Sequence, residues 1–387
     1  MFMQKWFKVA INTMLLCACV CTANVSALQQ DSIKVVRQHD KLPVRMSYTI
    51  SPDGKNCAFL TTGSPKDVWN IFVHKVGSSR GKQVTFEKNR HIKECFWLDN
   101  STILYFAKNR QRSSKEYGDY LCAFDLHTMK SRDLMPISED VPFGLSVIEG
   151  CDQEIFIQQG KHRSAIVDAY RLNAKTGVLT CVAQYKYSER VKWIADHNGK
   201  KVRAALTFHG QLLYRNSEQD DFKEVVLPAS MHIQNCFMFT FDNKNLILSV
   251  QTPDGGSAVC VLDPQTGSII DTIMKTTFAH AYHAVDFLDN VSLQQVALAE
   301  YSDASGKKRQ VFFDSALQTV YENLHTIFED APFYMRSVSD DLTKIIFSVI
   351  GSQGVNSEGA YFLYDKQTNT LTKLAAWWPS IETNGCI

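Results

Sequence analysis

The segment VGSSRGKQVTF, from Val76 to Phe86, contains the Gly-x-Ser-x-Gly pattern of a hydrolase nucleophile elbow, with Ser79 at its centre. A catalytic serine in such an elbow needs a strand before it and a helix after it, because the helix N-terminus helps to stabilise the oxyanion. Here NIFVHKV precedes the motif and KQVTF follows it, and both have the composition of β-strands. We therefore predict a hairpin turn at Ser79 and no catalytic residue there.

The segment AHAYHAVDFLD brings His280, His283 and Asp286 close together in the sequence, as in some metal sites. Its composition predicts a strand, and strand residues three positions apart point to opposite faces of a sheet. These side chains are therefore not expected to converge on one ion.

The polar segment NSEQDDF carries three carboxylates, at Glu218, Asp220 and Asp221. The segment lacks the ligand spacing of a calcium-binding loop, so it is predicted to be a solvated turn. We expect no metal site and no cofactor in this chain.

Cysteine is frequent, with eleven residues, three of which lie among the first 27 positions. The other eight are Cys57, Cys95, Cys122, Cys151, Cys181, Cys236, Cys260 and Cys386. They form no C-x-x-C pair, which argues against zinc, and most lie in apolar segments typical of a protein core. One or two disulfide bonds remain an alternative if the protein is exported.

The overall charge excludes some partners, because 41 basic and 40 acidic side chains leave no net field to attract nucleic acid or an anionic membrane surface. A hydrophobic fraction of 45% is ample for a large folded core. The composition predicts a globular protein, and its charge balance gives no indication of a nucleic-acid partner.

The first 27 residues have the features of an export signal: Lys5 and Lys8, an apolar run over 9–20, and small residues before a cleavage site after Ala27. The apolar run is too short to span a bilayer comfortably, and no later segment reaches the roughly 18 apolar residues of a membrane helix. We expect a periplasmic or secreted protein. Alternatively, the segment LCAC resembles a lipoprotein processing box, which would leave a lipidated Cys19.

Hairpin-like segments recur along the chain, each with a turn between two runs of β-branched and aromatic residues, as in YTISPDGKNCAFL and MFTFDNKNLILSV. An acidic turn marker repeats about every 48 residues, at Asp53, Asp99, Asp152, Asp196, Asp242, Asp289 and Asp340. Hairpins with a second type of Asp or Asn turn follow, as in YLCAFDLHTMKSRDL and AVCVLDPQTGSIID. Two hairpins per repeat make a four-stranded antiparallel sheet.

Seven such sheets can bury both faces only by packing around an axis, so the predicted fold is an all-β, seven-bladed β-propeller of four-stranded antiparallel blades. The blades are predicted at 44–87, 88–137, 138–186, 187–229, 230–276, 277–328 and 329–378. The chain would then divide into a signal peptide (1–27), an N-terminal segment (28–43), the propeller (44–378) and a C-terminal tail (379–387). In this prediction the first and last blades each contain four strands of their own. The ring is therefore closed by side-chain packing between these two blades, without a shared strand.

Four tryptophans lie near predicted strand ends, at Trp97, Trp193, Trp377 and Trp378. Aromatic residues at contacts between blades are mostly core. A binding surface built from them remains the alternative.

The pieces ISPDGKNCAFLTT, NIFVHKV, KQVTFEKNRHIKECFWLDNSTILYF, YLCAFDLHTMKSRDL, DAYRLNAKTGVLTCV, VRAALTF and YFLYDKQTNTLTKL follow one another in this chain. Their order resembles the propeller of the prolyl oligopeptidase (S9) family of serine peptidases, especially its bacterial dipeptidyl and acylaminoacyl peptidase branch. The resemblance extends over residues 44–378, although S-P-D-G-K alone is shared with periplasmic TolB-like propellers.

The resemblance implies a propeller that covers an α/β-hydrolase domain with a Ser, Asp and His triad. In this sequence only nine residues follow the last predicted blade, whereas a hydrolase domain needs on the order of 200. We therefore expect a non-catalytic propeller that binds a peptide or protein partner. The alternatives are a TolB-like interaction protein, or the propeller part of a split or truncated peptidase whose hydrolase subunit is encoded elsewhere or lost. A second copy of the chain is a further candidate partner.

Overall fold

The structure, a computed structural model, describes most of the predicted propeller. The described residues are 34–36, 45–62, 68–78, 80–109, 119–137, 143–147, 153–160, 167–184, 191–197, 199, 201–228, 230–277, 285–290, 293–303, 305, 308–328, 331–350 and 359–376. Within these ranges no helix is long and apolar enough to cross a membrane.

The described residues form seven sheets, one for each blade, and the strands of each blade lie in chain order, with one strand from the N-terminal segment added at the outer edge of blade seven. Blade one contains β2 (Arg45–Ile50), β3 (Asn56–Thr61), β4 (Asn70–Lys75) and β5 (Lys82–Gln83). Blade two contains β6 (Arg90–Trp97), β7 (Thr102–Asn109), β8 (Asp119–Asp125) and β9 (Lys130–Ile137). Blade three contains β10 (Phe143–Val147), β11 (Glu154–Gly160), β12 (Val167–Asn173) and β13 (Leu179–Ala183).

The remaining blades continue this order. Blade four contains β14 (Val191–Ala195), β15 (Val202–Thr207), β16 (Leu212–Tyr214) and β17 (Lys223–Glu224). Blade five contains β18 (His232–Phe239), β19 (Leu246–Gln251), β20 (Ser257–Asp263) and β21 (Ser268–Thr276). Blade six contains β22 (Val285–Asn290), β23 (Gln295–Ser302) and β24 (Lys308–Phe312), followed by helix α1 (Ser315–Ile327). Blade seven contains β25 (Phe333–Val338), β26 (Lys344–Val349), β27 (Ala360–Asp365) and β28 (Thr370–Ala376).

The first strand of each blade is the inner one, as seen at β2, which contacts β6 of blade two on one side and β25 of blade seven on the other. The predicted seven-bladed propeller is therefore confirmed. We call the face where the inner strands begin the entry face, and the face where they end the exit face. Because the strands are antiparallel, turns between strands one and two, and between three and four, lie on the exit face.

Side-chain caps explain why the predicted turns recur. In the first type, Ser51 Oγ donates to Asp53 Oδ1 at 2.7 Å and Ser339 Oγ donates to Asp341 Oδ1 at 2.7 Å. The capping residue of blade seven is thus Asp341, one position after the residue counted from the sequence. In the second type, Asp125 Oδ1 accepts from the backbone N–H groups two and three positions on, at 2.7 and 3.0 Å.

These turns also bind one blade to the next on the exit face. The backbone N–H of Asp53 donates to Asn100 Oδ1 at 2.8 Å, which joins blades one and two. The backbone N–H of Asp340 donates to the carbonyl oxygen of Pro52 at 2.9 Å, which joins blades seven and one. A repeated turn sequence therefore creates a repeated contact between blades.

The core is divided among the contacts between neighbouring blades. Seven clusters of buried apolar side chains are present in the described residues, one at each of the seven interfaces. At the seam between the first and last blades, Tyr48 and Phe59 pack with Ile346, Tyr361 and Leu363. The ring is therefore closed by a core like those elsewhere, as the sequence predicts.

Blade seven takes all four of its strands from the C-terminal part of the chain, as predicted, but the N-terminal segment adds to it. Strand β1 (Lys34–Val36) pairs in parallel with β28 and forms a fifth strand at the outer edge. Backbone hydrogen bonds thus connect this segment to blade seven, in addition to the packing at the seam. This fifth strand is absent from the predicted propeller, which begins at residue 44.

Blade six differs from the predicted pattern, because among the described residues its sheet has three strands and helix α1 follows. Asp314 caps the helix by accepting from the backbone N–H groups of Ala316 and Leu317 at 2.9 and 3.0 Å. The buried face of the helix consists of Leu317, Val320, Tyr321 and Leu324. It packs into the core between blades six and seven.

Candidate functional site

A cavity of about 510 Å³ lies at the entry-face end of the channel, where blades one, two and seven meet. Its wall is formed by Arg45, Met46, Ser47, Tyr48, Thr49, Trp69, Glu94, Cys95, Phe96, Arg336 and Tyr361. Most of these residues belong to the inner strands β2, β6 and β25. We call this space the seam cavity.

The three inner strands that line the seam cavity each contain a β-bulge. Arg336 is the extra residue of the bulge in β25, Lys93 is that of β6, and the bulge in β2 lies at Ser47 and Tyr48. Ser47 has a φ of 51°, a left-handed conformation that is uncommon for a residue other than glycine. Bulges turn side chains away from the regular alternation of a strand, and they are frequent next to binding and active sites.

Arg45 is held against the aromatic side of the cavity. Its Nη1 donates to Tyr48 Oη at 3.3 Å, and its guanidinium carbon lies 4.8 Å from the centre of the Phe59 ring. Tyr48 stacks on Phe59 with a centroid distance of 4.9 Å. Burial raises the pKa of Tyr48 to about 12, so this phenol is neutral at physiological pH.

Arg336 lies between the seam cavity and a smaller one of about 210 Å³ at blades six and seven. Its Nε donates to Ser348 Oγ at 2.6 Å, and its guanidinium carbon lies 5.8 Å from the Tyr334 ring centre. Asp286 and Glu300 line the smaller cavity. Charged groups of both signs therefore surround this part of the channel.

Two lysines on other inner strands are already engaged. Lys93 Nζ lies 3.1 Å from Asp119 Oδ2, in an ion pair within blade two. Lys192 Nζ donates to Asn235 Oδ1 at 2.9 Å and lies 5.7 Å from the Phe237 ring centre. Burial by the surrounding protein lowers the pKa of Lys192 although the side chain still contacts solvent, as expected inside a channel.

At the exit face, side chains of blades four, five and six meet. The rings of His197 and Phe241 have centroids 3.7 Å apart, and His197 Nε2 lies 3.9 Å from Asp289 Oδ2. The backbone N–H of His197 also donates to Asn243 Oδ1. The contact between His197 and Asp289 joins blades four and six, which are not neighbours, so it extends across the end of the inner strand of blade five.

The residues predicted from motifs do not meet in one site. Ser79 lies outside the described residues, but the strands on either side, β4 and β5, pair in antiparallel fashion as a hairpin does. His280 and His283 also lie outside the described residues. Asp286 lies on β22, as expected, where it is exposed beside the smaller cavity.

The acidic cluster occupies a turn between β16 and β17. Asp220 Oδ2 accepts from the backbone N–H and the hydroxyl of Ser217, both at 2.9 Å, so it caps the turn. Asp220 and Asp221 line an open cavity of about 630 Å³ between blades four and five. Within the described ranges no group of three or more His, Cys, Asp or Glu side chains is arranged to hold a metal ion.

Six cysteines are described. Cys57, Cys95, Cys122, Cys236 and Cys260 are buried free thiols, in agreement with the predicted core role, whereas Cys181 is exposed. Burial raises the pKa of Cys57, Cys95 and Cys236 to about 12, which keeps these thiols protonated. Cys151 and Cys386 lie outside the described residues.

The tryptophans agree in part with the prediction of a core role. Trp193 is 1% exposed and Trp97 is 7% exposed, and each contributes to a core between blades. Trp377 and Trp378 lie outside the described residues. The tryptophan in the seam cavity is Trp69, which the motif search did not select.

Arg45 and Arg336 carry no motif that marks them as functional residues in the sequence. The residues that line the seam cavity extend along the chain from Arg45 to Tyr361, and a bulge changes the facing of each inner strand. A basic residue within an otherwise apolar inner strand, as in FYMRSV, was the one indication available.

No protein-family model matches the chain, and no curated protein matches it in sequence. Solved structures with a similar fold include an oligogalacturonate lyase from Vibrio parahaemolyticus, at 11% identity and a TM-score of 0.47, over 84% of this chain and 92% of that one. A prolyl endopeptidase matches at 12% identity and a TM-score of 0.42, over 90% of this chain and 44% of that one. TolB from Acinetobacter baumannii matches at 11% identity and a TM-score of 0.37, over 83% of this chain and 63% of that one. The chain is thus similar in fold to these three kinds of protein, and it spans less than half the length of the prolyl endopeptidase.

Proposed function

We propose that this protein is an exported, non-catalytic β-propeller that binds a peptide or a peptide segment of a protein partner in the seam cavity. The observation that carries the proposal is a cavity at the channel whose wall combines half-buried aromatic side chains with the guanidinium groups of Arg45 and Arg336. A concave, mainly apolar wall with a few polar groups is typical of a ligand-binding site.

The size and wall of the cavity suit a few side chains of a peptide. Ligand pockets commonly measure about 300 to 1,000 Å³, and the seam cavity falls in this range with about 510 Å³. Trp69 and Phe96 offer apolar contact area, and both are half-buried. Rigid aromatic groups of this kind bind peptide side chains at little cost in conformational entropy.

Affinity selection tests the proposal. The purified protein is incubated with a soluble pool of random heptapeptides that have free termini, and retained peptides are identified by mass spectrometry. Met46→Trp should fill the seam cavity, because Met46 lines it and is exposed enough to accept a larger side chain. Ile270→Trp is the matched control, since Ile270 is also exposed but lies on the outer strand of blade five.

We expect a common set of peptides to be retained by the wild type and by Ile270→Trp, and to be lost with Met46→Trp. Retention that is equal in all three proteins, or that is absent from the wild type, would contradict peptide binding in the seam cavity. Hydrolysis of the retained peptides would contradict the non-catalytic part of the proposal.

A further inference from the structure

Two guanidinium groups in the wall of the seam cavity, those of Arg45 and Arg336, have no carboxylate partner among the described residues. The inference drawn from them rests on the proposed function and adds the chemistry of the ligand. We propose that the cavity recognises a carboxylate group of the bound peptide through Arg336 and Arg45. The carboxylate is either the peptide C-terminus or an acidic side chain, and these two sources have the same chemistry.

Arg336 is positioned to bind such a group. Its Nε is engaged by Ser348 Oγ at 2.6 Å, which fixes the plane of the guanidinium. Among the described residues no carboxylate lies within ion-pair distance of it, so Nη1 and Nη2 have no protein acceptor there. An anchored guanidinium with two free terminal nitrogens matches the two oxygens of a carboxylate.

Arg45 supplies the second positive charge. Its contacts within the described part of the chain are the phenol of Tyr48 and the ring of Phe59, and neither neutralises it. Its buried Nε has no hydrogen-bond partner there. A charged group that is partly buried without a counter-ion is costly unless a ligand supplies one.

Two arginines elsewhere in the molecule are paired with carboxylates. Arg90 lies 2.6 Å from Glu87 Oε1 and 2.9 Å from Asp133 Oδ1, and the bonds to these carboxylates raise its pKa. Arg309 lies 2.7 Å from Asp303 Oδ2. Arg45, which is half-buried, and Arg336, which is exposed to the channel, have no such carboxylate partner among the described residues.

The seam cavity and the smaller cavity beside it are lined by charges of both signs. Arg45 and Arg336 carry two positive charges and Glu94 carries one negative charge, so the described wall is positive by one. Asp286 and Glu300 line the neighbouring smaller cavity on the other side of Arg336. One carboxylate bound between Arg336 and Arg45 would neutralise the wall, while Trp69 and Phe96 would contact the apolar part of the peptide.

The experiment uses the heptapeptide most enriched in the affinity selection, labelled with fluorescein and measured by fluorescence anisotropy. It is synthesised in three forms: with a free C-terminus, with a C-terminal amide, and with a free C-terminus but each Asp or Glu replaced by Asn or Gln. Loss of affinity in the amide assigns the recognised group to the C-terminus, and loss in the third form assigns it to a side chain. Equal affinity of all three forms would overturn the carboxylate inference and leave peptide binding in place.

Protein variants identify the recognising groups. Arg336→Gln should weaken binding of the preferred form by about tenfold to a hundredfold, since a hydrogen-bonded charge is removed. The same variant should not change the affinity of the form that lacks the recognised carboxylate. Arg132→Gln, an exposed arginine of the outer strand β9, is the matched control and should bind like the wild type.

Arg45→Lys is the second variant, because it keeps the charge while losing the planar contact with Phe59. Thermal unfolding of each variant shows whether it is folded. If the Arg336→Gln variant is folded and binds the preferred peptide with unchanged affinity, Arg336 does not bind the carboxylate, and the inference is overturned.

Discussion

Two glycines at equivalent turns separate the cost of a left-handed backbone from the cost of a clash between blades. Gly177 and Gly267 each end an Asp or Asn turn before an outer strand, with φ of 73° and 69°. A Cβ at Gly177 would meet no atom within 4 Å, whereas a Cβ at Gly267 would overlap the carbonyl oxygen of Val226. Val226 cannot easily withdraw, because the adjacent Val225 is buried and its N–H donates to Leu212 O at 2.8 Å.

We predict that Gly177→Ala lowers the free energy of unfolding by about 1 to 2 kcal/mol, the cost of a left-handed residue with a Cβ. Gly267→Ala should cost this amount plus about 1 to 3 kcal/mol for forcing blade four away from blade five. Urea titration followed by tryptophan fluorescence measures both. Equal losses in the two variants would show that blades four and five do not make this contact, which would refute the arrangement of the blades described above.

Three further predictions concern the helix, the thiols and the turns. Leu324→Ala should lower the free energy of unfolding by about 2 to 5 kcal/mol, because Leu324 is fully buried in the core between blades six and seven. The surface change Gln318→Ala should lower it by less than about 0.5 kcal/mol. Urea titration measures both, and an equally small effect of Leu324→Ala would show that the helix does not contribute to that core. Iodoacetamide at pH 8 should label Cys181 and leave Cys57 unmodified in the native protein, since Cys57 is buried and its pKa is raised to about 12. Peptide mass spectrometry measures the extent of labelling at each cysteine. Fast labelling of Cys57 would contradict its burial. The hydrogen bond from the backbone N–H of Gln265 lowers the pKa of Asp263 in the folded protein. The stabilisation by the Asp263 carboxylate is therefore present above the pKa of the unfolded chain and is lost as the pH falls through the folded pKa. The Tm of Asp263→Asn should fall less than that of the wild type between pH 7 and pH 3, and an equal fall would refute the charge-dependent cap.

The fold could be predicted from the sequence because its determinants are local. The serine and aspartate of the first turn lie two positions apart, as at Ser51 and Asp53, and the cap that they form has the same geometry in the structure. An acidic turn between two strand-like runs recurs in each repeat, so both the number of blades and the order of strands follow from counting. Contacts within a few residues of each other leave a pattern that sequence analysis can detect.

Helix α1 could also have been predicted, and the reason it was not is instructive. Asp314 is a typical N-cap, and the buried side chains from Leu317 to Leu324 follow a period of three and four residues. Because the other repeats have four strands, a fourth strand was expected at residues 315–327 in spite of the helical spacing of the apolar residues there. Strand β1 is different, because three residues with a distant partner in β28 carry no local pattern of their own.

The seam cavity could not be predicted because its determinants are not local. Arg45 and Arg336 meet only when the first and last blades close the ring, and the bulges at Ser47 and Arg336 change which side of the strand faces the channel. A one-residue change in register reverses the facing of every side chain. The motif at Ser79, by contrast, is visible in the sequence but lies between two strands of an outer hairpin.

Hydrogen–deuterium exchange with and without the most enriched peptide tests most directly whether the entry face of a closed propeller is the binding surface. We predict slower exchange on peptide addition in the segments Arg45–Ile50, Arg90–Trp97 and Phe333–Val338, which line the seam cavity from three blades. Slower exchange confined to the exit-face turns or to the cavity between blades four and five, with these three segments unchanged, would contradict the account.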